Sequence, residues 1–198
     1  APYPYRCPFK QPCDESCAEA FAQDLEDVIR TTTNGRPAAF IAESIMGVGG
    51  YVVPPPGYFD RAAEIIRSYG GLFISDEVQS GFGRSGEHWF AIEHSGVEPD
   101  IMIMAKGIAN GMPVGATITR PDIAASWKAK TISTFGGNPV SMAATTATLE
   151  VMVEENVPQK AKERGEQLQA GLMDLSLRFE WIGDVRGMGL MQALELVE

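Results

Sequence analysis

Two acids, an amide and an amine in this chain have the types and spacing for chemistry. Phe73-Ile74-Ser75-Asp76-Glu77-Val78-Gln79 is an apolar run that delivers two carboxylates and an amide into a glycine-rich turn, Ser80-Gly81-Phe82-Gly83-Arg84-Ser85-Gly86. Thirty residues after Asp76, a second apolar run, Ile101-Met102-Ile103-Met104-Ala105, delivers Lys106 followed by Gly107. An acid and an amine on neighbouring strand ends are the two polar anchors that pyridoxal phosphate needs. A carboxylate against the ring nitrogen keeps that nitrogen protonated through opposite charge at close range, which suits Asp76. A desolvated lysine forms a Schiff base with the aldehyde, which suits Lys106, and once displaced its amine can carry a proton at the alpha carbon as base and then acid.

The elements that must position these groups alternate. Ser16 and Glu19 read as a capping box, and Ala18, Phe21, Leu25, Val28 and Ile29 recur at helical spacing until Asn34-Gly35. A strand over Ala38–Ala42 ends at Glu43 and feeds a loop rich in glycine and proline; a helix follows over Phe59–Tyr69, then the strand Leu72–Ser75. A short helical segment around Trp89–His94, the Lys106 strand and a strand over Pro113–Thr119 come next, then helices after Asn138-Pro139 and after Pro158, and a closing strand over Leu190–Val197. The order predicts an α/β fold, a mostly parallel sheet covered by helices, with ligands gathering outside the carboxyl ends of the strands. Glu43, Asp76 and Lys106 all fall at those ends. Residues 1–157 read as part of a larger domain and 158–198 as the beginning of a smaller α+β one.

Composition narrows the function classes. The 198 residues are 44% hydrophobic and 21% charged with net charge −10, so no basic stripe offers itself to nucleic acid, and no apolar run approaches the ~20 residues that span a bilayer. Cys7, Cys13 and Cys17 are odd in number and suit a reducing compartment; as metal ligands they lack a fourth partner, so the expectation is no metal and three thiols packed as small apolar groups. The chain begins without Met and stops directly after an apolar run, which reads as part of something longer.

Asp76-Glu77-Val78-Gln79-Ser80-Gly81-Phe82-Gly83-Arg84-Ser85-Gly86, Pro99-Asp100-Ile101-Met102-Ile103-Met104-Ala105-Lys106-Gly107 and Ser133-Thr134-Phe135-Gly136-Gly137-Asn138-Pro139 together resemble the class III aminotransferases of pyridoxal phosphate fold type I, in the right order along nearly the whole chain. Glu43-Ser44-Ile45-Met46-Gly47 and Gly183-Asp184-Val185-Arg186-Gly187-Met188-Gly189-Leu190 share the likeness, which points to the alanine–glyoxylate aminotransferase 2 branch. The resemblance implies the fold type I large domain, pyridoxal 5'-phosphate as cofactor, and amino donors and keto acids as substrates. It also implies a homodimer with shared sites. By the same resemblance Asp76 pairs with the pyridinium nitrogen, Val78 packs under the ring, Gln79 bonds the ring's phenolic oxygen and Lys106 carries the Schiff base. Thr134 reaches the cofactor phosphate of the other subunit, and Glu43 lies on the substrate side. The family's phosphate-binding loop, its ring-stacking aromatic and its carboxylate-gripping arginine match nothing here, so this stretch alone is expected to hold cofactor poorly and turn over little.

Plainer readings compete. An Asp-Glu pair at a strand end is commonly solvated turn chemistry, Thr134 a cap, Gln79 a surface amide, and His88 and His94 packing or surface residues. Trp89, Trp127 and Trp181 read as packing residues, and Met142 and Met152 as core fillers. Gly81-x-Gly83-x-x-Gly86 also fits the dinucleotide fingerprint, but the acid expected about 20 residues on is replaced by Lys106. A lyase or aminomutase using the same anchors, or an inactive dimerising scaffold, are the other functions these residues allow.

Overall fold

The computed structural model describes residues 3–10 and 12–198. Helix α1, Glu15–Thr32, is capped by Asp14, whose side chain accepts the Ser16 N–H at 3.0 Å. The expected capping box at Ser16 is therefore displaced: a carboxylate two residues earlier takes the amide first, and Ser16 lies inside the helix. Strand β1, Ala39–Glu43, follows, then helix α2, Tyr58–Ser68, closed by Gly70 in the left-handed region at φ 78°, and strand β2, Leu72–Asp76. Strand β3, Ile101–Met104, precedes a single 3₁₀ turn over Lys106–Ala109, and strand β4 spans Ala116–Thr119.

The sheet runs β1-β2-β3-β4, the first three parallel and β4 antiparallel. Its register sets Glu43 beside Asp76, and Asp76 beside Ile103, so the carboxyl ends of the three parallel strands form one rim. Ala22, Ile29, Phe59, Ile66 and Phe73 form the core between α1, α2 and one face of the sheet. The other face is less covered than its apolar strands led us to expect: Ile41 and Ile118 remain 55% and 60% exposed.

Helix α3 is the short Pro121–Ser126, and helix α4, Pro139–Glu154, is capped by Asn138. Leu149 and Met152 of α4 pack on Phe82, Met104, Ile108 and Ala109 under the Lys106 turn. Met142 faces out instead, as do Trp127 and Trp181, contrary to their expected packing roles. Helix α5, Val157–Arg178, starts one residue before Pro158, which sits comfortably in a first turn where no N–H is needed. It leads into an antiparallel pair, β5 Ile182–Met188 and β6 Met191–Leu196, so the Gly183 to Gly189 motif is itself mostly strand.

Gly189 brings this hairpin to the rim. A Cβ there would lie 2.3 Å from the Ser85 backbone, so only glycine lets the hairpin turn touch the Gly81–Gly86 segment, where Leu190 N–H donates to the Arg84 carbonyl at 3.0 Å. Buried Arg186 ties the hairpin further, donating to the Gly50 carbonyl at 2.7 Å and to Asp184 and Glu195 at 2.7 and 2.6 Å. Among the described residues, no helix is long and apolar enough to cross a membrane.

Candidate active site at the strand ends

The rim is organised by a residue the sequence left as turn chemistry. Glu77 is fully buried, and its carboxylate accepts from Ser44 Oγ at 2.8 Å, Ser75 Oγ at 3.2 Å and Ser80 Oγ at 2.7 Å. The backbone N–H groups of Ala91 and Ile92 donate to it at 3.0 and 2.8 Å. A buried carboxylate is costly unless its lone pairs are filled, and five donors fill them. It thereby joins the end of β1, strand β2, the following turn and the 3₁₀ segment Ala91–Ser95 into one floor. Ser75 and Ser80, two residues before and three after the acid at the end of an apolar strand, were the signal available in the sequence. The Gly81–Gly86 segment is turn and does not open the helix that a dinucleotide fingerprint requires, which removes that reading on structural grounds as well.

On this floor stand the expected anchors. Asp76 closes β2, half-buried, and its Oδ1 accepts the Val78 N–H at 3.0 Å, which turns the chain so that Val78 and Gln79 face a cleft. Tyr51, Val78, Gln79, Arg84, Lys106 and Leu190 line that cleft. Gly47 explains how Gln79 fits: a Cβ at Gly47 would lie 2.6 Å from Gln79 Oε1, so the amide lies directly against bare backbone. Glu43 sets that approach by accepting the Gly47 N–H on Oε2 at 2.9 Å.

Lys106 adopts φ 49°, a left-handed conformation that an ordinary side chain takes at a cost, at the mouth of β3. Such strain persists where the surroundings fix it, and it gathers at functional sites. Among the described residues neither the Lys106 nor the Arg84 side chain has a hydrogen-bond or ion-pair partner, so the cleft presents two uncompensated cations. An amine in that position can attack a carbonyl, and the pair together suits an anionic ligand.

Val78, Gln79 and Lys106 are thus brought into one cleft, with Asp76 and Glu43 at its rim. Thr134 is not brought there. It sits exposed in the segment between α3 and α4, among Ile132 and Phe135, which are 97% and 81% exposed. Arg84, Tyr51 and Leu190 come to the cleft from three separate segments, the Gly81–Gly86 turn, the loop after β1 and the C-terminal hairpin, so sequence spacing alone does not join them. His94, half-buried, meets Ser85 Oγ through Nε2 at 3.2 Å and His88 edge-on at 4.6 Å. Burial first, and the neighbouring His88 second, hold its pKa below the usual imidazole value.

The family model for "Aminotransferase class-III" matches residues 1–198. The chain belongs to the class-III aminotransferases. Its relatives include "Alanine--glyoxylate aminotransferase 2 homolog 2, mitochondrial" of Arabidopsis thaliana, 47% identical over 197 residues, covering 99% of this chain and 40% of that protein. They also include "Ethanolamine-phosphate phospho-lyase homolog 1" of Caenorhabditis elegans, 37% identical over 189 residues, 92% of this chain and 40% of the relative. The crystal structure of an (S)-enantioselective omega-transaminase from Thermomicrobium roseum superposes with a TM-score of 0.91 at 38% identity, over 100% of this chain and 45% of that one. The class-III aminotransferase fold, a mostly parallel α/β sheet with helices, is therefore shared. The chain spans about two fifths of the length of the curated relatives it matches.

Proposed function

We propose that the protein containing these residues transfers an amino group from an amino acid or amine to a keto acid of the pyruvate or glyoxylate type, using pyridoxal 5'-phosphate at the strand-end cleft. The carrying observation is Lys106, a strained, unpartnered amine in a cleft beside Val78 and Gln79, within a class-III aminotransferase. The residues fit the cofactor. Asp76 spends Oδ1 on the Val78 N–H and has Oδ2 for a protonated ring nitrogen; Val78 offers an apolar surface to the ring, and Gln79 an amide donor to its oxygen. Once bound, the cofactor supplies an electron sink for charge developing at the substrate's alpha carbon. Lys106 Nζ would hold the cofactor and, once freed by an amine substrate, would serve as base and then acid for the proton at the substrate's alpha carbon.

Thr134 is proposed to reach the cofactor phosphate of a second subunit, in a homodimer; its exposure in an apolar, uncovered segment supports that reading. Glu43 is proposed on the substrate side, acting through the Gly47 turn it holds. Residues 1–157 and 158–198 are proposed as parts of two domains, with α5 opening the second, and the three thiol side chains favour a reducing compartment.

The likeness to a phospho-lyase gives a second reading, in which the same anchors eliminate a group instead of transferring nitrogen. Mixing the full-length protein with an amino donor and then a keto acid separates them. Transfer predicts a keto product from the first reactant and a matching amino product from the second; ammonia release without amination of the keto acid overturns it.

A further inference from the structure

Cys7, Cys13 and Cys17 take no part in the transamination reading, yet the fold gathers them. Their Sγ atoms all lie within 4.8 Å of one another, with Cys7 and Cys17 buried and Cys13 half-buried. The three arrive from different local structures: a loop, the residue before the Asp14 cap, and the first turn of α1. Small apolar filling explains one buried thiol and gives no reason for three to converge.

Backbone donors and charged groups lie beside the sulfurs. In the turn Cys7-Pro8-Phe9-Lys10, the backbone N–H groups of Phe9 and Lys10 both donate to the Cys7 sulfur. Cys17 lies in the first turn of an 18-residue helix, and Lys10, ion-paired with Asp14, stands near Cys13 and Cys17. Amide donors two and three residues after Cys7, and the helix start at Cys17, are groups that metal-bound sulfur can accept hydrogen bonds from.

We propose that Cys7, Cys13 and Cys17 bind one zinc ion through three thiolates, away from the cofactor cleft, with the fourth position open to solvent on the Cys13 side. A donor set of sulfur alone selects a soft cation, and zinc takes thiolate at about 2.3 Å in tetrahedral geometry. That geometry places sulfurs about 3.8 Å apart, so the cluster needs to contract by no more than about 1 Å. On binding, the thiol protons leave to solvent and no electron changes hands. Among the described residues no fourth His, Cys, Asp or Glu joins the three, so the missing ligand that argued against a metal in the sequence becomes an open coordination position.

The ion would fasten a strap. Residues 3–7 run from this cluster to the C-terminal hairpin, where Tyr3 donates to Glu195 at 3.0 Å and the rings of Tyr3 and Tyr5 lie 5.4 and 5.5 Å from the Arg186 guanidinium carbon. Zinc at its far end would link the start of α1 to the hairpin that supplies Leu190 to the cleft.

The test uses the full-length protein, reduced and purified without chelator, beside Cys7→Ser/Cys17→Ser and Cys13→Ser. Zinc titration against a chromophoric chelator should show one more zinc per chain than the double variant binds. Cobalt at the same site should give sulfur-to-cobalt charge-transfer absorption, and zinc should raise the thermal midpoint of the natural protein alone. Cys13→Ser, at the half-exposed ligand, should keep the fold and weaken zinc by at least about tenfold, so it decides the matter if the double variant misfolds. Equal zinc affinity in natural and Cys13→Ser protein, cobalt without the charge-transfer band, or no zinc retained by the reduced natural protein would each overturn the assignment.

Discussion

The floor of the cleft and the segment that carries Thr134 are built in opposite ways. The floor is anchored by a fully buried carboxylate with five donors from four elements, and its lysine is held in a strained left-handed conformation. The segment from Trp127 to Phe135 has side chains 68% to 97% exposed at Trp127, Ile132 and Phe135, with hydrogen bonds confined to near neighbours such as Gly136 N–H to Ser133 Oγ. Burial and hydrogen bonding by this stretch of chain therefore fix the groups proposed to act on the substrate, whereas the group proposed to meet a partner's phosphate waits on contacts made elsewhere.

That contrast predicts a separation of effects. Lys106→Ala should reduce transamination by full-length protein more than about 10⁴-fold while leaving its urea unfolding midpoint unchanged. Glu77→Ala should do the reverse in origin: removal of the carboxylate orphans buried donors, and chemical denaturation should show a loss of about 4 kcal/mol, with activity falling because the floor no longer forms. As a comparison, Glu87→Ala removes only an exposed partner of Lys162 at 2.9 Å and should leave the midpoint where it was. A mild effect at Glu77 would break the account of the floor.

Smaller effects sharpen it. Gly47→Ala pushes a Cβ against Gln79 Oε1, the movable end of a side chain, so cofactor affinity measured by fluorescence should weaken about tenfold with little change in stability. Thr134→Val should weaken the cofactor comparably if the proposed dimer forms, and leave the unfolding midpoint untouched; a destabilised fold would show that this segment is supported from within.

Acid should act on the sheet in two stages. His94 has a lowered folded pKa, so the unfolded chain takes up its proton first and stability begins to fall as pH drops below about 6.5. Asp100 is buried, which raises its pKa, but the Phe73 N–H at 2.8 Å, Arg120 and Arg67 outweigh burial and hold the carboxyl below the usual carboxylate range. Its contribution is present above about pH 4 and is lost as pH falls through the lowered value. Urea midpoints across pH should show both stages, the lower one diminished in Arg120→Ala.

Much of this architecture is legible in the sequence because periodicity and turn residues act locally. The alternation from β1 to β3, with Glu43, Asp76 and Lys106 at the strand ends, follows from apolar runs stopped by polar residues and glycine. What stays hidden depends on contacts distant along the chain. Glu77 looks like an ordinary turn acid until Ser44 and Ile92 close over it, and Arg84 looks like a turn residue until Gly189 lets the hairpin touch it. Ser16 lost the cap to Asp14 because both are good caps and only backbone geometry chooses between them. The exposure of Trp127 and Met142 has the same origin, since residue type announces an apolar surface without saying what covers it.

The most direct test of the central claim is to incubate full-length protein with pyridoxal 5'-phosphate, reduce it with borohydride, and map the modified peptide by mass spectrometry. The account predicts stoichiometric label on Lys106, and none on this peptide in Lys106→Ala. Label on another lysine, or none in protein that is folded and saturated with cofactor, would contradict it.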